Sequence, residues 1–292
     1  MSPGQPEIEN NPNQIGLLQT EVIYTSGQIN ENLEALLNSN EITLFQYNQL
    51  QKAVLISERI YTLNPRRDQF RNHAIGHVFP IFGNIVKNKE RVIEIVKEEV
   101  EELQLNSDDV GATREQKALY VSLLVTLGHD WYEDYMGNES RDVLKEKVKN
   151  EFGEGIHNLI EILTKPDKGI YPDIIRDQVY YDKLTSSNSR LVALIKLFDR
   201  NSNHNDDFGV HDFVKVKNYC DDTEQNLTEW FKNILTGPGE VFVREFINAV
   251  GNLKDDAADS EVLSDATSSI VSRFLSYRRS DNTTWLDHTD RM

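Results

Sequence analysis

The segment LVTLGHDWYEDY, residues 124–135, places four ionisable side chains directly after a strongly apolar run. Residues three or four apart lie on the same side of a helix, which places His129 and Glu133 on one face. By the same spacing, Asp130 and Asp134 share the adjacent face. Burying these charges between helices is costly, and a bound divalent cation would offset that cost.

Two other segments carry polar groups at the same helical spacing. His73 and His77 lie one turn apart in HAIGH, and Asp199 and Asn203 lie one turn apart in LFDRNSN. A His-Asp pair combined with a distant His and a distant Asp gives a nitrogen and oxygen ligand set. Such a set suits Mn, Fe or Zn better than Ca. Three helices are therefore predicted to contribute to one metal site.

Each of these segments also has a simpler interpretation. The dipeptide His-Asp is frequent by chance, and HAIGH can present both histidines to solvent. Asp199 can pair with Arg200 or Lys196 on its own helix. The order of the segments favours the site, because each one closes a strongly apolar helix.

The elements that position these residues are predicted from hydrophobic periodicity. Apolar residues recur with helical spacing in six segments, whereas alternating strand patterns are scarce. The segments are NENLEALL, FQYNQLQKAVLISERIYTL, RVIEIVKEEVEELQL, REQKALYVSLLVTLGHDWYEDY, RDVLKEKVKNEF and SRLVALIKLFDRNSNHND. We predict an all-α fold with a flexible arm over 1–16, one helical domain over 17–251, and an acidic appendage with one helix over 252–292.

Composition narrows the class of partner. The chain has 31 Lys and Arg against 48 Asp and Glu, a formal charge of -17. This charge argues against nucleic acid or an anionic membrane as a partner, and a polyanionic substrate would need a locally basic pocket. The single cysteine, Cys220, and the lack of a signal-like or membrane-spanning segment favour the cytoplasm. The sequence leaves the oligomeric state open.

The motifs resemble those of the HD-domain metal-dependent phosphohydrolases. Within that superfamily, they resemble the hydrolase domain of the Rel/SpoT alarmone enzymes and the stand-alone small alarmone hydrolases. GHDWYEDY is similar to the HD-x-x-ED element, and LIKLFDRNSN is similar to K-L-A-D-R-x-x-N. IHNLIEILTKPDK resembles the segment ending in Thr-Lys, and RNHAIGHVFPIF stands at the position of the first histidine motif. The resemblance covers about residues 57–205.

The resemblance implies an HD-domain helical bundle with extra N- and C-terminal helices, and it assigns roles to individual residues. The implied metal ligands, with Mn²⁺ as the usual ion, are His73, His129, Asp130 and Asp199. The implied catalytic pair is Glu133 and Asp134, and the implied substrate-binding residues are Asn203, Lys165 and Arg59, the last packing on a guanine base. The apolar residues after the first motif favour His73 over His77 as a ligand. Two departures are Ala74 in place of proline and an added helix before residue 114.

The implied activity is removal of the 3' pyrophosphate from ppGpp or pppGpp. Nothing after residue 205 resembles the family's synthetase domain, which implies degradation only. One alternative is an HD phosphohydrolase acting on a deoxynucleotide, a nucleoside monophosphate or a cyclic nucleotide, because one metal centre serves many phosphoesters. Another is a helical protein that binds a nucleotide without cleaving it.

Overall fold

The computed structural model describes residues 25–61, 74–103, 105, 111–137, 139–167, 169–207 and 213–262. Every regular element in these ranges is helical, which confirms the all-α prediction. The helices are α1 Ser26–Asn38, α2 Leu44–Tyr61, α3 Phe79–Lys87, α4 Lys89–Val100, α5 Arg114–Gly128, α6 Trp131–Asp134, α7 Arg141–Phe152, α8 Glu154–Leu163, α9 Asp173–Ser186, α10 Arg190–Asp207, α11 Phe213–Asn226, α12 Thr228–Ile234 and α13 Glu240–Val262. A π-helical turn, Ala74–Val78, leads into α3, and a 3₁₀ turn, Gly237–Gly239, leads into α13.

The start of α5 is fixed by a capping box. The backbone N–H of Gln116 donates to Oγ1 of Thr113 at 3.1 Å, and the Thr113 N–H donates to Oε1 of Gln116 at 2.9 Å. These two bonds satisfy donors that the first turn of a helix leaves without partners. Thr25 and Gln28 form the same arrangement at the start of α1.

Two helices form the centre of the bundle. The stretch of α5 from residue 118 to residue 128 is buried on all sides, and α2, α3, α4 and α8 pack around it. The first half of α10, residues 191–198, is buried in the same way and contacts α3, α4, α5 and α8 on one side and α11, α12 and α13 on the other. Their apolar surroundings confine polar chemistry to the C-terminal end of α5 and the middle of α10.

Helix α2 holds the C-terminal end of α5 in place. The hydroxyls of Ser57 and Tyr61 both donate to the carbonyl of Leu127, at 3.1 and 3.3 Å. Trp131, directly after α5, donates its indole N–H to Oγ of Ser57 at 2.9 Å. The last carbonyls of a helix lack intrahelical partners, so these bonds both satisfy them and fix the turn that follows.

Periodicity suggested one helix that continues through residue 135, but the chain breaks before that point. Helix α5 ends at Gly128, and α6 begins at Trp131 after a break at residues 129 and 130. The break lets the Trp131 ring turn into the core, where it is fully buried. A single helical turn survives beyond it, because the N–H of Asp134 donates to the carbonyl of Asp130 at 3.0 Å.

The ends of the predicted domain fall partly outside the described residues. The predicted arm, 1–16, lies outside them, as does the predicted appendage beyond residue 262. Helix α13 runs through the predicted boundary at residue 251 without a break. In the described part of the chain, no helix is both long enough and apolar enough to cross a membrane.

Candidate metal centre

Three separate elements bring histidine and aspartate side chains to one point. His77 comes from the π-helical turn, His129 and Asp130 follow α5, and Asp199 lies in the middle of α10. His77, His129 and Asp199 are 0, 2 and 4% exposed. Within the described ranges, they form a group whose ligand atoms lie close enough together to bind one metal ion.

The distances between donor atoms fit a single ion. Nε2 of His77 lies 3.0 Å from Oδ1 of Asp199 and 3.3 Å from Nε2 of His129. Oδ2 of Asp130 lies 3.2 Å from Nε2 of His129 and 3.7 Å from that of His77, and the His129–Asp199 separation is 4.0 Å. Bonds of about 2.1 Å to one ion separate donor atoms by about 3.0–4.2 Å. We call His77, His129, Asp130 and Asp199 the metal cluster.

Hydrogen bonds behind the two imidazoles orient them towards each other. Nδ1 of His129 donates to the carbonyl of Thr126 at 2.7 Å. A carbonyl only accepts, which keeps a proton on Nδ1 and turns Nε2 towards the cluster. Nδ1 of His77 lies 2.9 Å from Oγ of Ser202. Partners of this kind fix the ring orientation that a metal ligand needs.

The cluster carries strongly interacting charges in the metal-free protein. Burial lowers the pKa of His129, but the carboxylates of Asp130 and Asp199 outweigh it and raise the pKa to about 9. Burial raises the pKa of Asp199, yet the ammonium of Lys196 and the hydrogen bond from His77 bring it well below its ordinary value. His129 is therefore protonated at neutral pH, and a metal ion must displace that proton.

The predicted catalytic pair lies on α6, immediately after two members of the cluster. Oε1 of Glu133 accepts a hydrogen bond from the backbone N–H of Lys165, which follows α8. Burial and the negative charge of Asp130 raise the pKa of Glu133 above its ordinary value, against the Lys165 N–H and the nearby lysines. Oδ2 of Asp134 is also buried. Two carboxyl groups thus follow Asp130 on one short helical turn, and Glu133 is close enough to Asp130 for that charge to raise its pKa.

Glycine at position 128 permits the close packing behind this turn. A Cβ atom there would lie 2.6 Å from Cδ1 of Ile160 on α8 and 3.1 Å from the Trp131 ring. A larger residue at this position would require the Ile160 side chain to shift. Close packing of α8 against the end of α5 therefore accounts for the glycine in the LGHD motif.

The first histidine motif contributes His77 to the metal cluster. The chain from Ala74 to Val78 forms a π-helical turn, which changes the register of side chains relative to an α-helix. The sequence favoured His73 over His77 as a ligand. His73 lies outside the described residues, and its assignment as a ligand stays a prediction.

Of the predicted substrate-binding residues, Asn203 contacts the metal cluster and Lys165 contacts Glu133. The Asn203 amide donates to Oδ1 of Asp199 at 2.8 Å. The backbone of Lys165 binds Glu133, whereas its ammonium lies 3.1 Å from Oδ1 of Asp177. In the metal-free protein, both residues therefore support the carboxylates of the site.

Arg59 lines a groove of about 880 Å³ between α2 and α7. Tyr135 and Met136, which follow the Glu133–Asp134 pair in sequence, also line it. Its apolar lining includes Leu55, Ile60, Leu144, Val148 and Phe152. Two ion pairs border it, Lys52 with Glu151 and Lys147 with Glu139. Among the described residues, no carboxylate pairs with Arg59.

Sequence reasoning missed Ser202 and Thr126, which hold the two imidazoles from behind. Ser202 lies three residues after Asp199, so its place on the same helix was a usable signal. The carbonyl of Thr126 carries no sequence signal, because every residue has one. No protein-family model matches the chain, and neither a curated protein nor a solved structure matches it.

Proposed function

We propose that the protein is a divalent-metal-dependent phosphohydrolase of the HD type that removes the 3' pyrophosphate from ppGpp-like guanine nucleotides. One observation carries the metal-dependent part. Two imidazole nitrogens and two carboxylate oxygens converge, while a second carboxyl pair lies beside them on α6. The substrate is proposed from the resemblance of the same motifs to the alarmone hydrolases.

His77, His129, Asp130 and Asp199 would hold the ion, and Mn²⁺ is the ion that the resemblance implies. Their donor set contains nitrogen and oxygen but no sulfur, which suits Mn²⁺ or Fe²⁺ and also admits Zn²⁺. When bound, a divalent ion lowers the pKa of a coordinated water and polarises a phosphate oxygen.

Glu133 and Asp134 are proposed to manage protons jointly. A carboxyl group with a raised pKa can both accept and return a proton near neutral pH, as general acid-base catalysis requires. The Lys165 N–H binds Oε1 of Glu133, and the second oxygen of Glu133 has no hydrogen bond among the described residues. That oxygen is available to accept a proton from water or to donate a proton to a leaving group.

The groove beside Arg59 is proposed to hold the nucleoside. Its volume lies within the range of small-molecule sites, about 300–1,000 Å³, and its lining includes Tyr135 and Met136, which follow the proposed catalytic pair in sequence. A guanidinium can stack on the face of a purine base, and the apolar lining can contact the opposite face. Asn203, whose amide donates to Asp199, is proposed to contact the ribose or its phosphate.

Product analysis tests this proposal. We expect Mn²⁺-loaded protein to convert ppGpp to GDP and pyrophosphate and to leave GDP intact, with no reaction for Asp130→Ala. A panel of deoxynucleotides, nucleoside monophosphates and cyclic nucleotides runs in parallel. Asp130-dependent cleavage of one of those compounds, with ppGpp intact, would replace the alarmone with another substrate. If no nucleotide is cleaved, the remaining interpretation is a helical protein that binds a nucleotide without cleaving it.

Arg59→Ala tests the groove, with Lys52→Ala as the matched control on the same helix. We expect Arg59→Ala to raise KM for ppGpp about tenfold with a smaller change in kcat, because a base contact stabilises ground and transition states alike. Lys52 is paired with Glu151 at 2.5 Å, and its removal should change KM by less than about twofold. Equal effects of the two substitutions would argue against a base site at Arg59.

A further inference from the structure

Ser202 makes an unusual contact for a serine inside a helix. It is 3% exposed and lies one turn beyond Asp199 on α10, and its Oγ is 2.9 Å from Nδ1 of His77. Among the described residues, this is the one hydrogen bond of its hydroxyl. His77 is 125 positions away in sequence, so the bond joins the π-helical turn to α10 directly behind the metal cluster.

Serines in helices commonly donate to the carbonyl four residues earlier. Ser122, equally buried in α5, does this with the carbonyl of Ala118 at 2.8 Å. Ser202 does not follow that local preference and turns its hydroxyl to an imidazole on another element. A contact that replaces the locally favoured one and lies behind a cluster residue indicates a role in orienting His77.

We propose that Ser202 is a positioning residue whose hydroxyl accepts the Nδ1–H of His77 and thereby presents the Nε2 lone pair to the metal ion. The inference rests on the proposed function, because it assumes that the cluster binds metal. For His129 the same task falls to the carbonyl of Thr126. A carbonyl only accepts, whereas a hydroxyl can accept or donate. His129 is thus held in one tautomer, and His77 is held in the required one only while Ser202 accepts.

Without this hydroxyl, Nε2 of His77 would keep its contacts in the metal cluster, the nearest of which is Oδ1 of Asp199 at 3.0 Å. An Nε2–H directed at Asp199 competes with a metal ion for the same nitrogen. Loss of an outer partner of this kind typically weakens metal binding about 10–100-fold. The expected signature is therefore a loss of metal affinity that a buried helical serine elsewhere does not share.

The experiment measures Mn²⁺ affinity by titration calorimetry on the full chain and three variants. We expect Ser202→Ala to weaken Mn²⁺ binding at least about tenfold, and Ser202→Thr, which retains a hydroxyl, to restore it to within about threefold. Ser122→Ala is the matched control. It also removes the hydroxyl of a buried helical serine, but that hydroxyl donates to a local carbonyl, so the affinity should stay unchanged. The His77 tautomer, read from imidazole ¹⁵N shifts of the Zn²⁺-loaded protein, should be Nδ1–H in wild type.

Unchanged Mn²⁺ affinity in Ser202→Ala would overturn the inference, and so would an equal loss in Ser122→Ala. If Ser202→Ala does not fold, Ser202→Cys retains the volume with a weak acceptor, and wild-type affinity in that variant would overturn the inference as well. Ser202-dependent metal binding without ppGpp hydrolysis would support the inference and refute the proposed substrate. A wild-type protein that binds no metal overturns both.

Discussion

Two neighbouring residues of α10, Asp199 and Arg200, bury opposite charges on adjacent faces of the helix. Arg200 is 3% exposed and donates to the Tyr181 hydroxyl at 2.6 Å. Its Nη2 lies 3.4 Å from the carboxylate of Asp222, and its guanidinium lies 4.5 Å from the ring centroid of Tyr219. We call Arg200, Tyr181, Asp222 and Tyr219 the arginine cluster.

The metal cluster on the adjacent face of α10 has a different composition. In the arginine cluster the cation meets a carboxylate, a hydroxyl and an aromatic face, and among the described residues none of these groups joins a set of potential metal ligands. In the metal cluster, the Lys196 ammonium and the proton on His129 compensate the carboxylates. Two imidazole nitrogens and two carboxylate oxygens nevertheless converge there, at nitrogen–oxygen distances of 3.0–4.0 Å. Buried charge alone is therefore a weak sign of function. The convergence of several potential metal ligands at one point distinguishes the metal cluster from the arginine cluster.

Removing a member of the metal cluster should give the largest effect. We expect His129→Ala and Asp130→Ala to weaken Mn²⁺ binding more than about 100-fold and to abolish hydrolysis, because each loses a direct ligand. Calorimetric titration and turnover are measured on variants whose helical content matches wild type. Wild-type affinity in both variants would remove the distinction between the two clusters.

Glu133→Gln should separate catalysis from metal binding. We expect turnover to fall by about 100-fold or more with metal affinity retained, as for a proton-transfer group that is not a ligand. Turnover at the wild-type rate would exclude Glu133 from catalysis. The free energy of unfolding should increase although turnover falls, because the amide removes a buried negative charge.

The sign follows from the raised pKa of Glu133. The neutral carboxyl is favoured in the folded state, so its contribution to stability is present at low pH and is lost as pH rises through the raised pKa. Glu133→Gln should therefore increase the free energy of unfolding of metal-free protein at pH 8 and leave it nearly unchanged at pH 4. Denaturant unfolding in chelator at both pH values measures this.

Metal affinity should rise with pH below about 9. The His129 pKa is raised to about 9 by Asp130 and Asp199 against the effect of burial, so binding must release that proton. Release of one proton corresponds to about a tenfold gain in affinity per pH unit between pH 7 and 8.5. Calorimetry in buffers of different ionisation enthalpy counts the proton directly. A pH-independent affinity would mean that His129 is not a ligand.

Disruption of the arginine cluster should give the smallest effect on the site. We expect Asp222→Asn to lower the free energy of unfolding by about 1–2 kcal/mol, below the value for a fully buried pair because Asp222 is partly exposed. Mn²⁺ affinity should stay within about twofold of wild type. A loss of affinity comparable to that of Asp130→Ala would show that the two sides of α10 act as one unit.

Much of the arrangement could be predicted from the sequence. Periodicity identified α5 and α10, and the apolar residues around them confined the polar positions His129, Asp130 and Asp199 to their ends and middle. Local spacing could not separate Asp199 from Arg200, which occupy adjacent positions. The elements that pack against α10 decide which of these two side chains meets other potential ligands. Asp199 meets His77 from the π-helical turn, whereas Arg200 meets residues of α11.

Features set by tertiary contacts lay beyond prediction. His77 reaches the metal cluster from a π-helical turn. After the break at Gly128, Trp131 donates a hydrogen bond to Ser57, which lies 74 positions earlier in the sequence. Ser202 resembles any helical serine until its partner is known. Such contacts join distant segments, and periodicity within one segment contains no information about them.

Metal analysis of the purified full chain tests the central claim most directly. The metal content is measured by mass spectrometry after purification, after chelation and after reloading with Mn²⁺, for wild type and for His77→Ala. We predict about one divalent ion per chain in reloaded wild type, removable by chelator with a fall in melting temperature, and much less in His77→Ala. A wild-type chain that stays metal-free on reloading, with a melting temperature insensitive to chelator, would contradict the account.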